Sequence, residues 1–209
     1  MLEYILYALV GFFVGGVMFS YLIPKIFCKV DTVKEGSDHN PGAANAISVA
    51  GKGVGIICLL LDVAKGFLPV FLAKTFIGNG AEDPLLNPLF SLVIIAPTAG
   101  HAFSPMMKFK GGKAIAVTCG ALLALAPQSL DVVWLVLIMT LLSLVVIVKP
   151  DSLRMIISMS LLFVFNIVLN DILSVRIGVC VIAAIVIFKH VINYGEEKAN
   201  VRLFFMKKK

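Results

Sequence analysis

Residues 89–126 read LFSLVIIAPTAGHAFSPMMKFKGGKAIAVTCGALLALA, two apolar runs on either side of a cationic loop at 108–113. The runs are candidates for membrane-crossing segments. In the loop, Gly111 and Gly112 let backbone N–H groups approach an anion without Cβ obstruction, and the flanking lysines supply charge. A helix that opened here would add its N-terminal dipole. The alternative is a positive-inside anchor, because lysines commonly flank cytoplasmic helix ends.

The composition indicates a membrane protein. Of the 209 residues, 60% are hydrophobic and only 14% are charged, whereas soluble proteins average about 45–50% apolar and about 25% charged residues. The net charge of +6 sits in short loops and the tail, which is typical of membrane topology rather than of nucleic-acid binding. No polar stretch is long enough to bury a core of its own. We therefore expect an all-α polytopic integral membrane protein with a single membrane-embedded domain over residues 1–209.

Apolar runs indicate about seven transmembrane helices. The third and fourth runs are short and adjoin the 108–113 loop, as expected where short or broken helices line a cavity instead of facing lipid. The seven predicted spans are residues 4–24, 54–77, 89–105, 114–126, 132–148, 153–169 and 175–191.

Loop charges predict the orientation of these spans. Lysine and arginine gather in the first, third and fifth loops and in the tail, acidic residues gather in the loops between, and Arg176 is the exception. By the positive-inside rule, the N-terminus then lies outside and the C-terminus in the cytoplasm. We expect the site on the cytoplasmic face, because the segments rich in Gly, Asn, Ser and His fall there: residues 36–55, 101–113, 149–154 and 190–198.

Three polar clusters on this face carry the candidate chemistry. Asn40-Pro-Gly is a turn sequence that presents amide groups, His101 precedes the 108–113 loop, and His190 and Asn193 share one helical face at the end of the last span. No serine stands in a nucleophile elbow. The histidines and the four cysteines are scattered without ligand spacing, so neither a metal nor a cofactor is expected.

Asp62 and Lys65 lie one turn apart inside the second span and can pair. Either group alone would be costly in the membrane, so the pair indicates function or a buried structural lock. We favour the lock, because neither group looks free to act on a substrate.

Taken in order, these motifs resemble those of the bacterial acyl-phosphate:glycerol-3-phosphate acyltransferases, and the likeness covers essentially the whole chain. That family is seven-spanning with its N-terminus outside. The resemblance implies that a fatty acyl group passes from acyl phosphate to glycerol 3-phosphate at the cytoplasmic face of a bacterial plasma membrane, giving lysophosphatidate and phosphate for phospholipid biosynthesis. The matching segments are Asn40-Pro-Gly-Ala-Ala-Asn45 with Asp62-x-x-Lys-Gly-x-x-Pro69, Gly100-His-x-Phe with Phe109-Lys-Gly-Gly-Lys113, and His190-x-x-Asn193 with Glu197-Lys198.

The resemblance also implies roles for individual residues. The loop around Lys113 would cradle a substrate phosphate, and His190 would help to orient the acceptor hydroxyl. Because acyl phosphate is already activated, positioning and charge neutralisation suffice without a protein nucleophile. The expected partners are the two substrates and the lipid bilayer, with no nucleic acid or obligate protein partner. The expected catalytic residues are Ser37, His190 and Asn193, and the expected substrate-binding residues are Asn40, Gly42, Asn45, His101, Lys110, Gly111, Gly112, Lys113, Ser152 and Glu197.

The chain departs from the family pattern in its first motif. The family's serine aligns with Asp38, with Ser37 one position away, and its arginine aligns with Ser48. This change removes a bidentate phosphate clamp that lysine does not replace geometrically. One alternative is therefore a diverged paralogue with a different acceptor or no turnover. Another is an anion or phosphate transporter, which the lack of an internal repeat and of midplane polar clusters disfavours.

Overall fold

A computed structural model describes residues 1–77, 82–195 and 198–203, and most of these residues are helical. Two helices continue into π turns, at Pro24–Cys28 and Leu141–Val145, and short 3₁₀ turns lie at Pro84–Leu86 and Pro105–Met107. The α-helices are α1 Leu2–Gly16, α2 Phe19–Ile23, α3 Thr32–Glu35, α4 Ala43–Ala50, α5 Lys52–Phe76, α6 Phe90–Ala102, α7 Ile115–Leu123, α8 Asp131–Thr140, α9 Asp151–Leu169 and α10 Leu173–Ile192.

Five helical segments in the described residues are long and apolar enough to cross a membrane. They correspond to five of the predicted spans. The other two predicted spans, 114–126 and 132–148, are the shorter helices α7 and α8, so a count of seven stays a prediction. Large apolar side chains cover much of the outside, as expected of a surface that faces lipid. The five candidate spans are Leu2–Cys28, Lys52–Phe76, Phe90–Met107, Asp151–Leu169 and Leu173–Ile192.

The first span is broken in its middle. Helix α1 ends at Gly16 and α2 begins at Phe19, which leaves backbone carbonyls without helical partners. Lys65 Nζ donates to the Val17 carbonyl at 2.5 Å, and Ser104 Oγ donates to the Gly16 carbonyl at 2.6 Å. Such a break is tolerated at membrane depth because protein donors satisfy the freed groups.

The predicted pairing of Asp62 with Lys65 is confirmed. Their charged atoms lie 2.7 Å apart, and both side chains are almost completely buried. Ser20 Oγ donates to Asp62 Oδ2 at 2.6 Å. Since Lys65 also binds the Val17 carbonyl, the pair joins α5 to both sides of the break in the first span.

Glycines allow the helices near the site to cross closely. A Cβ added at Gly100 of α6 would overlap the Phe12 carbonyl of α1, and one added at Gly120 of α7 would overlap the Val63 carbonyl of α5. Small residues at such crossings let helix backbones approach each other in membranes. These crossings place α6 directly against α1 and α7 directly against α5.

A small antiparallel sheet adds to the predicted all-α architecture. Strand β1, Val146–Lys149, pairs with β2, Asn200–Leu203, with Lys149 opposite Asn200. The predicted fifth span 132–148 is therefore wrong at its end, because its last three residues are extended and bond to a distant strand. The sheet brings the chain after α10 beside the start of α9.

A polar network at the other end of α9 is fully satisfied. The buried Asp131 carboxylate accepts hydrogen bonds from Ser129 Oγ at 2.5 Å, from Asn166 Nδ2 at 3.0 Å and from Asn170 Nδ2 at 3.1 Å. A buried carboxylate surrounded by donors in this way stabilises helix packing. It offers no open position to a ligand.

Candidate active site

A cavity of about 440 Å³ lies between α4, α5, α7, α9 and α10, within the range of roughly 300–1,000 Å³ that small-molecule sites occupy. One part of its wall is polar and the rest is apolar. The polar part includes Asp38, Asn40, His101, Lys113, Ser152, Arg154 and His190. The apolar part includes Leu59, Leu60, Val63, Ile115, Met139 and Met155.

Three helices begin at this cavity. The first residues of α4, α7 and α9 all line it. Within the described part of the chain, none of the three N-caps, Gly42, Ala114 and Pro150, makes a side-chain capping hydrogen bond. First-turn N–H groups lack helical partners, and the helix dipole favours an anion beside them. The predicted helix opening after the 108–113 loop is confirmed, with α7 starting at Ile115.

The glycines of the 108–113 loop pack against His101. A Cβ added at Gly111 would overlap the His101 carbonyl, and one added at Gly112 would overlap His101 Nε2. Gly112 N–H donates to the His101 carbonyl at 3.1 Å. The Gly112 N–H is therefore already bonded in this arrangement, and the expected role of the two glycines in phosphate binding stays a prediction. Their close packing fixes the position of the loop relative to His101.

Lys113 reaches the cavity and pairs with Asp38 across 2.8 Å. The Asp38 carboxylate also accepts from Asn45 Nδ2 at 2.6 Å and from Asn40 N–H at 3.2 Å. Partial burial opposes ionisation of this carboxyl, but the Lys113 ammonium and the two amide donors outweigh it, so the Asp38 pKa lies below its ordinary value. Asp38 is thus an ionised group held at the cavity by three donors.

His190 and His101 are both buried at the cavity, 2% and 4% exposed. Neither ring nitrogen of His190 has a hydrogen-bond partner among the described residues, and the same holds for His101 Nδ1. Unpaired buried polar atoms are costly and rare in folded proteins. The two imidazoles therefore supply hydrogen-bonding atoms that a ligand in the cavity can satisfy.

Helix α9 brings two polar side chains of different kinds. Ser152 is buried at the cavity, and its expected role in substrate binding stays a prediction. Arg154 also lines the cavity, and its Nη2 lies 3.0 Å from Asp151 Oδ1. The sequence pattern assigned Arg154 only to the charges that orient the membrane spans. Its position two residues after Ser152, in a segment predicted to face the cytoplasm, was the sequence feature that pointed to a role in the site.

The cavity wall gathers some of the predicted site residues and not others. Asn193 is exposed, and its Nδ2 donates to the Lys189 carbonyl of its own helix at 2.7 Å. Asn45 is buried behind Asp38. Glu197 lies outside the described residues. Those on the wall are Asn40, Gly42, His101, Lys113, Ser152 and His190, and those off it are Ser37, Asn45, Lys110, Gly111, Gly112 and Asn193.

Metal coordination finds no support in the described residues. Over the described ranges 1–77, 82–195 and 198–203, no group of three or more His, Cys, Asp or Glu side chains is placed to hold a metal ion. The cavity wall combines cations, imidazoles, a hydroxyl and helix N-termini with the carboxylates of Asp38, Asp62 and Asp151. Lys113, Arg154 and the helix N-termini are the groups suited to binding an anion.

Sequence comparisons identify relatives along most of the chain. A profile described as Glycerol-3-phosphate acyltransferase matches residues 5–198. The chain is 48% identical over 137 residues to a Glycerol-3-phosphate acyltransferase of Thermotoga petrophila, and this alignment covers 64% of the chain and 66%, just under two thirds, of that relative. It is 31% identical to a Glycerol-3-phosphate acyltransferase of Lacticaseibacillus casei, over 92% of the chain and 87% of the relative.

The fold is similar to that of a solved membrane enzyme. The crystal structure of PlsY (YgiH), an integral membrane glycerol 3-phosphate acyltransferase in its glycerol 3-phosphate form, matches 91% of the chain and covers 89% of that protein, with a TM-score of 0.76 and 26% identity. Together with the apolar helices, this match shows a multi-pass membrane protein. The family inferred from the motifs is confirmed: the chain belongs to the glycerol-3-phosphate acyltransferase family.

Proposed function

We propose that this protein transfers a fatty acyl group from acyl phosphate to glycerol 3-phosphate, giving lysophosphatidate and inorganic phosphate in phospholipid biosynthesis. Family membership supports the acyltransferase class. The observation that carries the proposal is the convergence on one cavity of three helix N-termini, Lys113 and the His190 ring, whose nitrogens have no partner in the described residues. Both substrates carry a phosphate group, and this is the chemistry that such a site binds.

The shape of the cavity suits one substrate with a polar head and an apolar chain. Its apolar wall includes Leu59 and Leu60 of α5, which also face outward, with Leu60 62% exposed. An acyl chain that enters from the lipid can lie along this wall, while the phosphate lies at the helix N-termini. Glycerol 3-phosphate, which is fully polar, would occupy the side that opens to water.

The reaction is an attack of the glycerol 3-phosphate hydroxyl oxygen on the acyl carbon of acyl phosphate. The new carbon–oxygen ester bond forms, the bond from the acyl carbon to the phosphate oxygen breaks, and the hydroxyl proton passes to the departing phosphate. Lys113 and the helix N-termini would stabilise the charge on that phosphate. His190, His101 and Ser152 would orient the hydroxyl. Roles for Ser37, Asn193 and Glu197 stay predictions.

The orientation in the membrane is part of the proposal. We infer seven crossing segments in a single domain over residues 1–209, with the N-terminus outside and the cavity facing the cytoplasm of a bacterial cell. Basic residues at the cavity end support this orientation, because Lys113, Lys149 and Arg154 all lie there or in adjoining segments. Glycerol 3-phosphate is a water-soluble acceptor, so it would reach a cavity on that face directly.

A different acceptor is the second candidate, and Asp38 favours it. A carboxylate at the cavity pairs with Lys113 and would repel an acceptor phosphate placed beside it. An acceptor with its phosphate further from the hydroxyl, or with an additional hydroxyl to donate to Asp38, would avoid that repulsion.

Purified protein in lipid nanodiscs tests the proposal. With palmitoyl phosphate and glycerol 3-phosphate, we expect lysophosphatidate by mass spectrometry and inorganic phosphate in equal amounts. Omission of either substrate is the control. A preparation that binds palmitoyl phosphate and forms no lysophosphatidate would overturn the proposal. Formation of a different acylated polyol phosphate in the same assay would favour the second candidate.

A further inference from the structure

Among the described residues, two cations line the cavity, and each pairs with a carboxylate. Lys113 pairs with Asp38, and Arg154 pairs with Asp151. Asp38 is held by two further donors, Asn45 Nδ2 and Asn40 N–H. Asp151 is 79% exposed, and Arg154 is the ion-pair partner seen for it in the described residues. The Arg154 pair is therefore the weaker of the two and the more easily opened by a competing anion.

Arg154 is positioned to take such an anion. Its side chain is only 20% exposed and lines the cavity beside Ser152. Its Nε is buried and has no hydrogen-bond partner among the described residues. A guanidinium carries five N–H donors in a planar fork that matches two oxygens of a phosphate. A phosphate in the cavity can satisfy the buried Nε and replace the solvent-exposed Asp151 at Nη2.

We propose that Arg154 binds a substrate phosphate and that Asp151 is its counter-ion only in the empty site. This inference rests on the proposed acyltransferase function and names a binding residue within it. It also answers a question raised by the sequence: Ser48 stands where a phosphate-clamping arginine was expected. The guanidinium reaches the cavity from α9 instead of from the first motif.

The group that Arg154 would bind is a terminal phosphate with at least two free oxygens. Acyl phosphate and glycerol 3-phosphate both carry such a group, so an experiment must show which of the two phosphates contacts Arg154. Each KM is measured with the other substrate saturating. The substrate whose phosphate contacts Arg154 is the one whose KM responds to substitution.

Three variants separate phosphate binding from a structural ion pair. Arg154→Ala should raise the KM for one substrate at least tenfold, with a smaller change in kcat. Arg154→Lys keeps the charge but loses the fork, so it should recover only part of that loss. Asp151→Asn should lower the same KM about twofold, because it removes the competing carboxylate. A purely structural pair would instead make Arg154→Ala and Asp151→Asn change the KM in the same direction, and that result would overturn the inference.

Stabilisation against thermal unfolding by a bound phosphate compound provides a test that does not depend on turnover. Inorganic phosphate, glycerol 3-phosphate and palmitoyl phosphate are each added to wild-type protein in detergent, and the shift in melting temperature is measured. We expect at least one to stabilise the wild type and to lose most of that effect in Arg154→Lys, which retains the charge and therefore keeps the test open if Arg154→Ala fails to fold. Equal protection of wild type and Arg154→Lys, or no protection of either, would overturn the inference. Failure of wild-type turnover with protection intact would overturn only the proposed reaction.

Discussion

The two lysine–carboxylate pairs seen in the described part of the chain have nearly the same length and different surroundings. Lys65 and Asp62 lie 2.7 Å apart inside the membrane span, where both are almost completely buried. Lys113 and Asp38 lie 2.8 Å apart at the cavity, where they are 15% and 43% exposed. The first pair also binds Ser20 and the Val17 carbonyl. Asp62 also borders the cavity, so the two pairs differ in burial and in bonded partners rather than in closeness to the cavity.

The N–O distance is nearly the same in both pairs, so it does not distinguish a structural pair from one that can bind a ligand. The burial of the two side chains and their other hydrogen-bond partners do. A buried pair cannot lose one partner without leaving an uncompensated charge in the membrane. A partly exposed pair exchanges its partner at small cost, because water compensates the released group. We therefore expect substitutions at the first pair to affect folding and substitutions at the second to affect substrate binding.

The largest expected effect is on stability at the buried pair. Lys65→Met leaves Asp62 charged and without its partner, and also removes the donor to the Val17 carbonyl. We expect the free energy of unfolding to fall by about 3–5 kcal/mol. Thermal melting of the purified protein in detergent, together with its abundance in membranes, measures this change.

A double substitution is the control for this prediction. Asp62→Leu with Lys65→Met removes both charges, so it should be less destabilising than Lys65→Met alone. A Lys65→Met protein that melts with the wild type would contradict the interpretation of the pair as a lock.

A moderate effect on substrate binding is expected at the loop that holds Lys113. Gly112→Ala places a Cβ onto His101 Nε2, so either the His101 ring or the loop that carries Lys113 must shift. We expect a rise of about tenfold in a substrate KM, which corresponds to ~1.4 kcal/mol. Gly53→Ala is the matched control, because a Cβ there meets no atom within 4 Å. Equal kinetics for the two variants would show that the loop packing does not matter to binding.

The smallest expected effect is a pH dependence at Asp38. Its pKa lies below the ordinary value because of Lys113 and the amide donors, so it contributes stability that is present above its unfolded pKa and lost as pH falls through the folded pKa. We expect Asp38→Asn to be less stable than wild type at pH 6, by no more than about 1 kcal/mol. The difference should shrink toward pH 3 in thermal melts. A difference that grew with acid would have the wrong sign.

Local pattern was sufficient for several features of this fold. Long apolar runs predicted the five candidate spans, because a bilayer needs about 20 apolar residues and few sequences have them by chance. The spacing of Asp62 and Lys65 predicted their contact, because residues three apart share a helix face. The apolar run at 114–126 predicted a helix after the cationic loop, and α7 lies there.

Long-range contacts account for what the sequence did not reveal. The break after Gly16 depends on donors from Lys65 and Ser104, and Ser104 is 88 positions away. Strand β1 depends on residues 200–203. Arg154 lies at the cavity only because of how α9 packs, and Asn193 lies off its wall with its amide bonded to its own helix. None of these follows from local spacing.

The kinetics of a Lys113→Gln variant test the central claim, that the partly exposed pair belongs to the phosphate site. Lys108→Gln is the control, because Lys108 is an exposed residue of the same loop that is absent from the cavity wall. We expect Lys113→Gln to raise the KM of at least one substrate about tenfold, ~1.4 kcal/mol, with its melting temperature close to that of the wild type. An unchanged KM for both substrates would contradict the claim and assign Lys113 to membrane anchoring.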